Sequence, residues 1–177
     1  MVTLKIKIIK IGILSFVIGL CSFSCDQRSE LSSVNAVNWK QRAKALPHSD
    51  SLSLGTTYLS VYSQIYSATE HRTQDLTATI SMRNTSLKDS LYVVNARYYN
   101  TQGLLIRIYF DEPIFLEPME TVAIVIDELD KQGGTGANFV FDWGIKTNAP
   151  EPLFEAVMIS TSGQQGLSFT TQGQRIQ

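Results

Sequence analysis

Three groups of side chains in this sequence could carry chemistry: a cysteine behind an apolar leader, a glycine-rich stretch beside clustered acids, and a set of spaced tyrosines. The most unusual local composition is Gly133-Gly134-Thr135-Gly136-Ala137-Asn138. A phosphate cradle would need the G-x-x-x-x-G-K-[ST] spacing and a following helix, and the sequence has neither, because residues 139–145 read as strand. The plain reading is a tight loop with glycines at positive φ. The functional one is an exposed backbone surface at Gly133, Gly134, Gly136 and Asn138 that recognises a partner. Asp127, Glu128 and Asp130 precede it and raise calcium as a ligand. An EF-hand loop starting at Asp127 would put Leu129 and Lys131 where oxygen ligands belong, and one starting at Glu128 would end on Phe139. The expectation is therefore a solvated acidic turn and no metal. Tyr58, Tyr62 and Tyr66 fall on one face of an extended segment, with Leu59, Val61 and Ile65 opposite. A tyrosine row offers large apolar bodies with polar tips, a candidate surface for a glycan or protein.

Catalytic constellations are hard to assemble. Two histidines exist, His48 and His71, and Ser168 lacks the second glycine of a G-x-S-x-G elbow. Asp142 and Glu155 could be imagined as a glycosidase pair, but no spacing rule brings them together. The reading is a non-enzyme without a cofactor.

The cysteine belongs to an address. Residues 1–10 carry Lys5, Lys7 and Lys10, and residues 11–20 are apolar apart from Ser15 and two glycines. A basic start followed by an apolar run is the pattern of an export signal. The run is roughly half of the ~20 apolar residues that a membrane span needs. Ser22-Phe23-Ser24-Cys25 resembles a lipobox, the cleavage site that precedes a lipidated cysteine. Leu20 is too large to precede the cut, which sets Cys21 aside. Lipidation at Cys25 with several acyl chains anchors stably, since each buried methylene contributes about 0.8 kcal/mol. With Cys25 consumed and Cys21 removed, the mature chain has no thiol for a disulfide, a zinc site or a nucleophile. Cleavage also takes the three lysines and no acid, so 15 basic residues fall to 12 against 16 acidic ones. A balance of −4 with no basic cluster speaks against nucleic-acid binding. The partners expected are a membrane, through the lipid anchor, and an envelope protein.

The elements that position these groups are strands. After a signal at 1–24, residues 25–55 are rich in Ser, Asn, Gln and charge and read as a flexible tether, with 35–46 able to form a short helix carrying Trp39. From 56 to 177 the period becomes two, the mark of half-buried strands. Leu76, Ala78, Ile80 and Met82 alternate with Thr77, Thr79, Ser81 and Arg83. Further strands are expected at 91–99, 104–110, 122–127, 138–145, 153–161 and 167–170. A hairpin turn uses Gly103, and a short edge piece lies between Pro113 and Pro118. Phe139, Phe141 and Trp143 are expected in the core. About seven to nine strands make an all-β, two-sheet sandwich.

Two resemblances bear on this. Residues 76–84, Tyr98-Tyr99-Asn100, Gly103-Leu104-Leu105, and Leu116-Glu117-Pro118 with Thr121 resemble immunoglobulin-like accessory domains of bacterial surfaces. The resemblance implies an immunoglobulin-like sandwich and no ligand. Residues 58–66, 133–139 and 155–161, in that order, resemble the bacterial family known as domain of unknown function 3124, over about Thr56 to Arg175. That family implies an exported, lipoprotein-type chain and brings no activity or cofactor. Its members commonly carry histidine where this chain has Gln64, so any metal role of that histidine would be missing here. Together these lines lead to a non-enzymatic binding or accessory module tethered at the cell envelope. The alternative is a hydrolase or small-ligand carrier acting on envelope glycans, which would need an aromatic-lined pocket with a few convergent polar groups.

Overall fold

The computed structural model describes residues 37–47, 52–161 and 166–177. The signal at 1–24, Cys25, and residues 26–36 and 48–51 of the expected tether lie outside them. All described residues belong to one compact unit, Leu31–Gln177.

The unit is an all-β sandwich. Its elements in chain order are a single helical turn α1 (Trp39–Arg42), β1 (Leu52–Val61), β2 (Gln64–Ser67), β3 (Thr69–Asp75), β4 (Thr77–Arg83), β5 (Leu91–Tyr99) and β6 (Leu105–Ile108). There follow β7 (Ile114–Leu116), β8 (Thr121–Ile126), β9 (Ala137–Lys146), β10 (Leu153–Ser160), β11 (Leu167–Gln172) and β12 (Gln174–Arg175). One sheet runs β12-β1-β9-β5-β6, with β7 sharing the outer edge of β5. The other runs β11-β10-β4-β8, and β2 and β3 pair only with each other. Every pairing is antiparallel.

Alternation sets the inward faces, because successive side chains leave a strand on opposite sides. Ala78, Ile80 and Met82 of β4 are buried, as is Leu76 just before it. Phe139, Phe141 and Trp143 of β9 are buried too, as the pattern implied. The register pairs Tyr98 with Phe139 and Ala96 with Phe141. Ring stacking then continues from sheet to sheet, with Phe139 on Phe141 at 5.4 Å and Phe141 on Phe154 of β10 at 4.4 Å. The Trp143 indole N–H, which would be costly to bury unpaired, donates to Thr57 Oγ1 at 2.9 Å. The expected hairpin turn is present: Gly103 has φ +77, and its N–H reaches the Asn100 carbonyl at 2.9 Å.

Three expectations need correction. The domain does not start at Thr56, because β1 is formed from Leu52 and pairs with β9 from Leu52↔Lys146 onward. Part of the expected tether is docked: Trp39 packs on Phe110 at 5.1 Å, and Ala43 bridges Ile114 of β7. The row of Tyr58, Tyr62 and Tyr66 is not one strand face. The chain leaves the sheet after Val61, and the N–H groups of Ser63 and Gln64 both turn to the Gly134 carbonyl, at 3.2 and 3.1 Å. Tyr62 swings onto Phe169 of β11 at 5.7 Å.

Candidate functional site

The glycine stretch sits at the end of the loop from β8 to β9, and four parts of the chain grip that loop. Thr101, in the β5–β6 turn, donates from its N–H and its hydroxyl to the Gly133 carbonyl, at 3.1 and 3.0 Å, and its hydroxyl accepts the Gly136 N–H at 3.0 Å. Ser63 adds its hydroxyl to the Gly134 carbonyl at 3.2 Å. Lys131 pairs with Asp75 of β3 at 2.6 Å, and Gln64 Nε2 donates to the same carboxylate at 2.8 Å. These two donors hold the Asp75 carboxyl below its ordinary range. The fourth grip is buried: Arg107 of β6 reaches the Asp130 carboxylate at 3.1 Å and the Tyr109 hydroxyl at 3.0 Å.

Asp130 therefore departs from the expectation of a solvated acidic turn, while Glu128 is exposed as expected. The Asp130 side chain is wholly buried, where an unpaired carboxylate would be costly, and the Arg107 guanidinium answers that charge. Asp127 spends a carboxylate oxygen on the Leu129 N–H at 2.9 Å. Among the described residues no cluster of His, Cys, Asp or Glu has the makings of a metal site. Burial raises the phenols of both neighbouring tyrosines, Tyr98 above the usual phenol range and Tyr109 to about 12. The Asp130 charge adds to both shifts, while Arg107 opposes both and the Ser63 hydroxyl also opposes that of Tyr98.

The carbonyls of Gly133 and Gly134 are thus spent inside the chain, which supports the tight-loop reading for these two residues. Gly134 has φ +71, and Gly133 lies so close to the Tyr98 hydroxyl that any β-carbon would collide with it. The surface that remains is made by the side chains around them. Tyr58 donates to Asn138 Oδ1 at 2.5 Å, and the Thr135 hydroxyl points at the Tyr66 oxygen at 3.4 Å. Two of the three predicted tyrosines and the end of the glycine stretch therefore meet, with Tyr58 37% and Tyr66 60% exposed. Tyr62 does not join them. Sequence reasoning gave no role to Ser63, Thr101 or Arg107, although Ser63 stands within the family-like stretch 58–66. Asp142 and Glu155 stay apart, each held by its own arginine: Arg97 at 2.6 Å and Arg83 at 2.8 Å. His71 is exposed beside Glu70, and His48 lies outside the described residues.

A family model described as "Protein of unknown function (DUF3124)" matches residues 54–176. The chain belongs to that family. The match opens within β1 and closes just past β12, so the DUF3124 unit is the sandwich, and α1 lies outside it. No curated protein matches the sequence. Among solved structures, Thermotoga maritima 1070 is similar at 10% identity and a TM-score of 0.44, over 68% of this chain and 92% of that one, a likeness too slight to carry an argument.

Proposed function

We propose that this DUF3124 domain is a non-enzymatic binding or accessory module, held at the bacterial cell envelope by lipid on Cys25, that meets an envelope partner through Tyr58, Tyr66, Thr135 and Asn138. The observation that carries the reading is the meeting of two motifs some 70 residues apart. The Tyr58–Asn138 and Tyr66–Thr135 contacts tie the two tyrosines to the glycine stretch, and the Arg107–Asp130 pair holds the loop that carries it. Rigid, amphipathic tyrosines give contact area at low cost in side-chain entropy, which suits recognition. The apolar leader and Ser24-Cys25 supply the address.

The test has two parts. Mass spectrometry of the mature N-terminus should find acylated Cys25 in the wild type, with the Cys25→Ala protein leaving the membrane fraction; an unmodified Cys25 would remove the anchor. Cross-linking in intact envelopes should then recover a partner with wild type that is lost with Tyr66→Ala plus Asn138→Ala, and equal recovery would remove the surface.

A second reading, a carrier of small envelope ligands, is favoured by one feature. A cleft of about 640 Å³ opens between α1 and the β6–β7 connection.

A further inference from the structure

We infer that this cleft binds an amino sugar, with Trp39 as the stacking platform and Asp111 and Glu112 receiving the ammonium group; the inference rests on the carrier reading. The cleft volume falls within the ~300–1,000 Å³ of small-molecule sites. Its back is aromatic. Trp39 meets Tyr109 edge-on at 6.4 Å and Phe110 at a tilt at 5.1 Å, and both partners are buried while Trp39 keeps part of its indole open.

The rim sets the ligand's charge. Asp111 and Glu112 are exposed on the β6–β7 connection, and neither carboxylate has a hydrogen-bond or ion-pair partner among the described residues. Lys40 stands on the opposite rim, so two acids face one base. Of the charges beside the cleft, Arg42 pairs with Glu120 at 2.8 Å, while Lys44 keeps its charge over the Phe115 ring at 4.6 Å and lies outside the lining. Among the residues that line the cleft the surplus is one negative charge. A cation beside the indole face gains from the ring quadrupole as well as from the carboxylates. An apolar sugar face fits the indole, and the free amide N–H groups of Asn38, whose Oδ1 accepts the Gln41 N–H, suit a hydroxyl. An anionic ligand would meet two carboxylates and is disfavoured.

The chain has two tryptophans, and Trp143 is buried, so a ligand-induced change in emission reports Trp39. The full-length protein in detergent is titrated with a glucosamine trimer, an N-acetylglucosamine trimer and a neutral glucose trimer. The expected result is a saturable shift with the glucosamine trimer, and affinity weaker by about tenfold for the other two, the size of one charge-assisted contact. Asp111→Asn with Glu112→Gln should remove that preference, and Trp39→Phe should remove the emission change. No saturable change at millimolar trimer, equal affinity for all three trimers, or a shift that survives in Trp39→Phe would each overturn the inference. None of these outcomes depends on Cys25 modification or on partner recovery, so the anchor and surface readings stand or fall separately.

Discussion

Gly133 is where the chain approaches itself most closely. A β-carbon there would collide with the Tyr98 hydroxyl and come within 2.8 Å of the Ala137 methyl. Tyr98 cannot retreat, being stacked on Phe139 at 4.7 Å. Gly133→Ala is expected to cost about 2–3 kcal/mol by overpacking. Gly103→Ala has open space and only the positive φ to bear, so about 1 kcal/mol. Urea midpoints at unchanged slope decide the matter, and equal losses would show that the close approach is not what selects glycine at Gly133. Tyr109 makes a pH prediction. Burial lifts its phenol from 10.0 to about 12, with Arg107 pulling the other way. A pKa raised on folding means that the folded state holds the proton more tightly. Stability is then intact below pH 10 and falls as pH rises through 12, by about 2–3 kcal/mol at 1.36 kcal/mol per unit. Tyr109→Phe should flatten that alkaline limb, leaving the part due to Tyr98; an unchanged slope would show the phenol to be uninvolved. The glycine stretch was visible in the sequence, but the reason for Gly133 was not, because Tyr98 lies 35 positions away.

Among the elements, β4, β5 and β9 could be read from alternation, since one face of each meets the core and the other does not. β3 could not. Its residues Thr69–Arg72 are polar and exposed, and it forms because β2 pairs with it. β12, two residues long, exists only through Thr57 and Tyr58 of β1. The segment carrying α1 was expected to be tether for a sound reason: four helical residues have no helix stability of their own. It is ordered by what it touches. The Lys44 N–H donates to the Pro113 carbonyl at 2.8 Å, and Trp39 covers Tyr109 and Phe110. Trp39→Ala should loosen this segment alone. Hydrogen exchange at the Lys44 amide should quicken by about tenfold or more while β4 and β5 stay protected. Unchanged exchange there would mean that pairing with β7, not the indole, holds the segment.

At the scale of the whole molecule, the two sheets are joined where one strand changes partner. β11 pairs with β10 in one sheet, and after Gly173 the chain continues as β12 beside β1 in the other. The Gly173 N–H bonds to the Phe154 carbonyl at 2.8 Å, and a β-carbon would come within 2.7 Å of Thr57 Cγ2 and 3.1 Å of that carbonyl oxygen. Gly173→Val should therefore destabilise the whole sandwich cooperatively, by at least about 2 kcal/mol. A variant that frays β12 but keeps its midpoint would show that the corner is not needed for the two sheets to hold together.

By itself the sequence determined which strand faces turn inward, because alternation is written in neighbouring positions. Only the tertiary structure decided that Tyr62 leaves the tyrosine row, that Asp130 is buried against Arg107 and that Trp39 closes one wall of a cleft. These outcomes depend on groups far apart along the chain. Their charges and ring faces acquire an energy only when folding removes the water between them.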